Sequence, residues 1–250
     1  MFLDVLQLSP VQLIFSILII FLSYTIKGLS GFGSGLVAIP LLALFLPITM
    51  VVPLLGLLSY SGTIMQSVHL RKQVVWRDML PLIPFSLMGI AIAVWLLVNV
   101  NEVFLIRVLG IFVLMYALYS LLPRPSYRGS RKWAIIAGSF GGMVGALFGT
   151  GGPFYVLYLN IRQLDKGPFR ATIAMIFLVD GGARIFGYAI SGLYTGQVLG
   201  MLLMLLPVLF LGMYLGDSLH LKIEQKRFNQ VISVLLMISG VMLLYKSFIM

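Results

Sequence analysis

The sequence predicts an all-α polytopic membrane protein of two inverted repeats, each a glycine-broken helical hairpin plus three transmembrane helices. Three observations carry this prediction. Of the 250 residues, 60% are hydrophobic and 10% charged, with a mean hydropathy of +1.08, which excludes an ordinary soluble domain. Glycine clusters interrupt the apolar sequence twice, at Gly31-Phe32-Gly33-Ser34-Gly35 and Gly149-Thr150-Gly151-Gly152-Pro153, at an offset of 118. Basic residues fall in alternate loops, the pattern that orients helices in a bilayer.

The first apolar run, 11–26, leads through Lys27 into the first break, which opens at Gly28. A short run, 36–46, follows and ends at Pro47. Each glycine costs a helix interior about 1 kcal/mol, so the dense clusters predict breaks. A break at membrane depth exposes backbone N–H and C=O groups, which only protein or a wet cavity can cover. Spans are predicted at 50–68, 79–98 and 102–122. The second half repeats the plan: 133–148, the break, a short run at 154–161, then spans at 168–190, 197–219 and 228–247. A further internal match sets PFSLMG (84–89) against PVLFLG (207–212), offset by 123. The repeated order predicts a duplication, residues 1–125 and 126–250, forming one membrane domain.

The loops at 69–78, 123–132, 162–170 and 220–227 are basic, whereas 47–49, 99–101 and 191–197 have no Lys or Arg. The positive-inside rule places the first group in the cytoplasm. Segments 11–46 and 133–162 must then each start and finish on one side. The second has about 30 residues, where two full crossings need about 40. A re-entrant hairpin with its glycines at the tip fits; two tilted short crossings are the alternative. Three spans per half make the halves inverted, with an external N-terminus that carries Asp4. The first residues, MFLDVLQLSP, have no basic n-region, so they read as the start of the first membrane segment. The net charge of +10 comes mainly from these loops and reflects orientation, with no nucleic-acid partner expected. There is no cysteine, so no thiolate or disulfide chemistry is available. No cofactor or metal is expected. The expected partners are the lipid bilayer and a small anionic substrate, and a homodimer is compatible with the sequence.

The chain leaving each break starts a half-helix, near Gly35 and near Pro153. Proline suits a first helical turn, where its missing N–H has no partner anyway. Such N-termini offer free N–H donors and partial positive charge, an anion site that needs no formal charge. Ser30, Ser34 and Thr150 add hydroxyls. The binding candidates are Lys27, Ser30, Gly31, Phe32, Gly33, Ser34 and Gly35 at the first break, and Thr150, Gly151, Gly152 and Tyr155 at the second. The plainer reading is that the glycines serve only close helix packing. Lys27 is either a cation for the ligand or a lysine snorkelling to the headgroups. Asp180 and Arg184 lie four apart on one helix face. Arg184 reads as an oxyanion ligand with Asp180 as partner or proton carrier, or the two form a structural ion pair. His69 is a second coupling candidate, set against a bland role at a basic edge. Phe32, Phe148, Phe154 and Tyr155 near the tips suit an aryl substituent on the ligand.

The two signatures, GFGSGLVAIP from Gly31 to Pro40 and GTGGP from Gly149 to Pro153, resemble the paired glycine-rich signatures of the sulfite exporter TauE/SafE family. The resemblance covers nearly the whole chain. The family's first signature usually has three adjacent glycines; here Ser34 interrupts them, and Pro153 takes the last place of the second. The resemblance implies a membrane permease, as found in bacteria, archaea and plants, for sulfite, sulfonates, sulfoacetate or other organosulfur anions. Their several acceptor oxygens suit amides, hydroxyls and an arginine. The expected function is a secondary transporter working by alternating access around the two breaks, with the proton as candidate coupling ion. The expected location is the bacterial cytoplasmic (inner) membrane. An anion channel or a non-transporting scaffold is the alternative. No HExxH, GxSxG, P-loop or clustered acidic pair points to an enzyme.

Overall fold

A computed structural model of the chain describes residues 8–30, 34–121, 129–218 and 225–249. All regular structure among them is helical: α1 (Pro10–Ser30), α2 (Ser34–Leu42), α3 (Ile48–Leu70), a 3₁₀ turn (Arg71–Gln73), α4 (Trp76–Met79), α5 (Ile83–Asn99), α6 (Glu102–Leu121), α7 (Trp133–Phe148), α8 (Gly152–Ile161), α9 (Lys166–Ile190), α10 (Gly196–Ser218) and α11 (Gln225–Ile249). Five of these, α1, α6, α9, α10 and α11, are long and apolar enough to cross a membrane. Large apolar side chains are exposed along them, Tyr214 at 72% and Phe186 at 69%. The protein is an integral membrane protein, and these side chains suit hydrocarbon rather than water.

The chain forms two compact units. One comprises Met1–Leu55, Val100–Arg124 and Tyr194–Met250, the other Gly56–Asn99 and Pro125–Leu193. The division falls inside α3, and each unit draws helices from both halves of the sequence.

In the first unit, α1 packs on α10 and α6 on α11. Glycine allows the first pairing: a Cβ on Gly28 would meet the Met213 carbonyl oxygen at 2.5 Å and the Gly216 Cα at 2.9 Å. Gly28 therefore lies inside α1, and the helix continues to Ser30. Gly28, with which the predicted break opens, serves helix contact instead, and residues 31–33 of that break lie outside the described residues. The two arms are also unequal, α1 having 21 residues and α2 nine. At the hairpin's base, Gln12 Nε2 donates to the Phe45 carbonyl at 3.2 Å. The start of α1 and the exit from α2 are thus held together. Nearby, Lys246 Nζ donates to the Ala43 carbonyl at 2.9 Å, and the Ile48 amide donates to Glu102 Oε1 at 3.1 Å. Arg107 Nη2 caps the Ser247 carbonyl at 3.3 Å, with the guanidinium 5.2 Å from the Phe248 ring centre.

In the second unit, α7 is the small-residue helix. A Cβ on Gly138 would meet the Leu82 carbonyl at 2.7 Å, and one on Gly142 the Ser86 Cα at 2.8 Å. The predicted span 79–98 is here divided into α4, a turn at 80–82, and α5. Pro84 explains the division, since proline is tolerated in the first turn of a helix and disrupts the turn before it.

One packing contact occurs once in each unit. Gly89 of α5 lies against the Ser139 carbonyl and the Met143 amide of α7; Gly212 of α10 lies against the Phe21 carbonyl and the Thr25 amide of α1. The two glycines are 123 apart and their partners 118 apart. Both values equal the offsets of the internal sequence matches.

The base of the second hairpin is closed by charge. Asp78 is only 3% exposed, and its Oδ1 accepts from Arg131 Nε at 2.8 Å and Arg162 Nε at 3.0 Å. Arg162 Nη1 also donates to the Gly129 carbonyl at 2.6 Å, and the Gly129 amide donates to the Ile161 carbonyl at 2.9 Å. Tyr158 Oη donates to the Asp78 carbonyl at 3.1 Å. Three of the basic loops thus meet around one carboxylate. Asp78→Asn leaves two guanidiniums facing a neutral group. Breaking a fully buried pair costs about 3–5 kcal/mol, and with Arg131 38% exposed the expected loss is about 2 kcal/mol. Thermal melting in detergent should show it, while Asp165→Asn, at an exposed site with no side-chain cap bond, should melt like the parent.

Candidate anion site at the second glycine break

The second break lies wholly among the described residues. Helix α7 ends at Phe148, and Gly149 takes the left-handed conformation, φ 63°, with its amide donating to the Gly145 carbonyl at 3.0 Å. Only glycine adopts this readily, so the helix stops here. Three residues later α8 begins at Gly152, with Pro153 in its first turn, as predicted. The first-turn amides of a helix have no i−4 acceptors; here Pro153 has no N–H and the Phe154 amide donates to the Gly151 carbonyl at 3.2 Å, which leaves the Gly152 amide open, and Gly151 at the N-cap supplies no side-chain cap.

Close backbone approach shapes the turn. A Cβ on Gly151 would run into the Gly141 carbonyl oxygen and meet the Gly145 Cα at 3.2 Å. On Gly152 it would meet the Phe177 ring at 3.3 Å. Thr150, between the glycines, is 5% exposed, and its Oγ is buried with no hydrogen-bond partner. An unsatisfied buried hydroxyl costs about 1–3 kcal/mol, which a ligand oxygen accepting from it would offset.

Arg184 of α9 reaches the same turn. Its Nη1 donates to the Gly145 carbonyl at 2.7 Å and its Nε to the Asp180 carbonyl at 3.4 Å. These bonds use two of the five guanidinium N–H groups. A cation at the C-terminal end of α7 is also favoured by that helix's dipole.

Asp180 shares the helix face with Arg184, yet its carboxylate takes other partners. Oδ1 accepts from Ser86 Oγ of α5 at 2.9 Å, and Oδ2 accepts from Tyr155 Oη of α8. No ion pair joins the Asp180 carboxylate to the Arg184 guanidinium, whose bond to Asp180 goes to its backbone carbonyl, so the Asp180–Arg184 ion-pair reading does not hold in this conformation. Tyr155 is 1% exposed; its ring fits against Gly141 and stands edge-on to Phe177 at 6.2 Å. Its hydroxyl donates to Asp180. Gly181 and Gly182 make room for Tyr60 of α3, whose ring would lie 2.6 Å from a Cβ on Gly181.

At the first break, Ser34 and Gly35 open α2 and are buried. Lys27 lies in α1 with its ammonium 5.5 Å from the Tyr24 ring centre, a cation–π placement. Gly31, Phe32, Gly33 and the side chain of Ser30 lie outside the described residues. So does the side chain of His69 in α3. At the offset of 118, Tyr155, Asp180 and Arg184 align with Val37, Gly62 and Gln66. The ionisable pair therefore has no counterpart in the first half. The sequence reading missed Ser86 and Tyr60, for which a serine or tyrosine in apolar sequence gives no signal. It also missed Gly141 and Gly145, which the four-residue spacing of GGMVG marks as a packing face.

The family model "Sulfite exporter TauE/SafE" matches residues 16–243. A relative from Comamonas testosteroni, described as "Probable inner membrane transporter protein TsaS", is 28% identical over 180 residues, covering 69% of this chain and 73% of that protein. No solved structure matches.

Proposed function

Because the chain belongs to the sulfite exporter TauE/SafE family, we propose that it is a secondary transporter of a small sulfur-containing anion, sulfite or a sulfonate such as sulfoacetate. The observation that carries this reading is the donor set at the second break. The unpartnered Thr150 hydroxyl, the Gly152 amide and the remaining N–H groups of Arg184 all belong to one turn and its neighbours. Hydrogen-bond donors with one guanidinium match a group of several oxygens sharing one negative charge. Gly151 and Gly152 let backbone, rather than side chains, face the ligand.

The cycle in this reading is alternating access around two glycine breaks, one from each repeat. The paired contacts of Gly89 and Gly212 support residues 1–125 and 126–250 as repeats, and three crossings in each half would make them inverted. The basic loops are then cytoplasmic, the N-terminus external, and the membrane the cytoplasmic one of a bacterium. Lys27, Ser30 and residues 31–35 serve the first break, and the proton is the coupling ion.

Purified protein in liposomes tests the proposal with sulfite, isethionate, sulfoacetate and benzenesulfonate. Saturable uptake and counterflow of at least one anion are expected. Flux that never saturates would make the protein a channel, and no flux of any of the four would overturn the reading.

A further inference from the structure

Asp180 is fully enclosed by helices, yet it has hydrogen-bond partners ready for either protonation state. When ionised, a carboxylate only accepts, and here it accepts from Ser86 Oγ and from Tyr155 Oη. When protonated it must donate, so one of those hydroxyls must turn its own hydrogen elsewhere. Ser86 can do so. Its Oγ lies 2.9 Å from Asp180 Oδ1 and 3.0 Å from the Ile83 carbonyl. A proton on Oδ1 is then donated to Ser86 Oγ, whose hydrogen turns to Ile83, while Tyr155 keeps its bond to Oδ2. No buried group loses its partner in either state, which is the costly event in a site closed to water.

The neighbours of this cluster link it to the anion. Tyr155 sits three residues after Gly152, on the helix that opens the proposed site. The other titratable or charged groups facing Asp180 among the described residues are few. Arg184 lies one turn on along α9, and the Tyr60 ring of α3 rests against Gly181 and Gly182. Helix α5 presents the neutral Ser86, and α7 presents glycine to both Tyr155 and Arg184. An ionised Asp180 offsets the charge of Arg184 and repels an arriving anion. A neutral Asp180 leaves that charge to the ligand, and turns the bond from Tyr155 from charge-assisted to neutral, so α8 is held less firmly.

We infer that Ser86, Asp180 and Tyr155 form the proton-coupling device of this transporter, so that one proton and one anion bind together and cross in the same direction. Asp180 takes the proton from water on the loading side and returns it on the other. Ser86 is the positioning residue whose hydroxyl turns between Asp180 and Ile83, and Tyr155 passes the change in charge to α8. The inference rests on the transporter reading of the same site.

Two measurements test it. The first is apparent affinity for isethionate, whose sulfonate stays ionised, against pH in liposomes, with the other three anions in parallel. The parent should bind more tightly on acidification, by at most about tenfold per pH unit, the limit for one linked proton. Asp180→Asn should flatten this dependence and lose accumulation driven by a pH gradient, while keeping anion counterflow. Ser86→Ala should reduce gradient-driven accumulation by about tenfold with counterflow again kept. A pH dependence surviving in Asp180→Asn, or abolished by His69→Gln instead, overturns the inference. The second measurement needs no anion: infrared difference spectra of the purified protein on acidification. A protonated carboxyl band present in the parent and missing in Asp180→Asn supports proton uptake there, and identical spectra overturn it. Absence of flux for all four anions refutes the transporter reading instead, and with it the coupling role, whatever the spectra show of Asp180.

Discussion

Gly151→Leu is expected to abolish saturable anion uptake in liposomes. The backbone of Gly151 has φ −64°, which any residue adopts, so conformational strain is not the reason. Space is the reason. A side chain there would enter the Gly141 carbonyl and press on the Gly145 Cα at 3.2 Å. Both are backbone atoms of α7, and helix backbone cannot turn aside as a flexible side chain can. The break must move away from α7, carrying the amides of α8 out of place, at a cost of about 3 kcal/mol. Melting in detergent separates loss of the site from loss of the fold. Gly196→Ala is the matched control: nothing lies within 4 Å of a Cβ at that position, and uptake should be unchanged. Normal uptake by Gly151→Leu would show that this turn does not hold the anion.

Arg184→Ala should weaken apparent affinity for the transported anion about 100-fold. A hydrogen bond to a charged partner contributes about 1.5–3 kcal/mol, and 1.4 kcal/mol is tenfold in affinity. Arg184→Lys should recover part of the loss, because an ammonium restores the charge without the planar fork. The residue also caps the Gly145 carbonyl at 2.7 Å, so a stability loss of about 1 kcal/mol is expected in both variants. Initial rates across a concentration series tell the two effects apart, since a purely structural role lowers the amount of active protein and leaves the half-saturating concentration alone. An unchanged half-saturating concentration in Arg184→Ala would remove the guanidinium from the binding site.

Much of the helical layout was legible because burial in lipid writes long apolar runs that loops interrupt. The predicted stretch 133–148 coincides with α7, and the half-helix expected near Pro153 starts at Gly152. Proline and glycine chemistry made that turn readable in isolation. Gly28 was not readable in the same way. A glycine in apolar sequence either breaks a helix or admits a neighbour, and only Met213 and Gly216 on α10, far along the chain, decide between the two. Pro84 likewise divides a predicted span whose hydropathy is continuous.

The sequence by itself determined an all-helical membrane protein, the glycine break before Pro153 and its family, because hydropathy, charge in loops and glycine spacing are local properties. Tertiary structure alone decided which partners the polar residues take. It gave the Asp180 carboxylate to Ser86 and Tyr155 and turned Arg184 to the end of α7. It left the Thr150 hydroxyl buried without a partner. The physical reason is that a polar group enclosed by helices must be satisfied by whatever those helices bring to it. The residues that do so, separated by 94 positions for Ser86 and Asp180, meet only when the chain has folded.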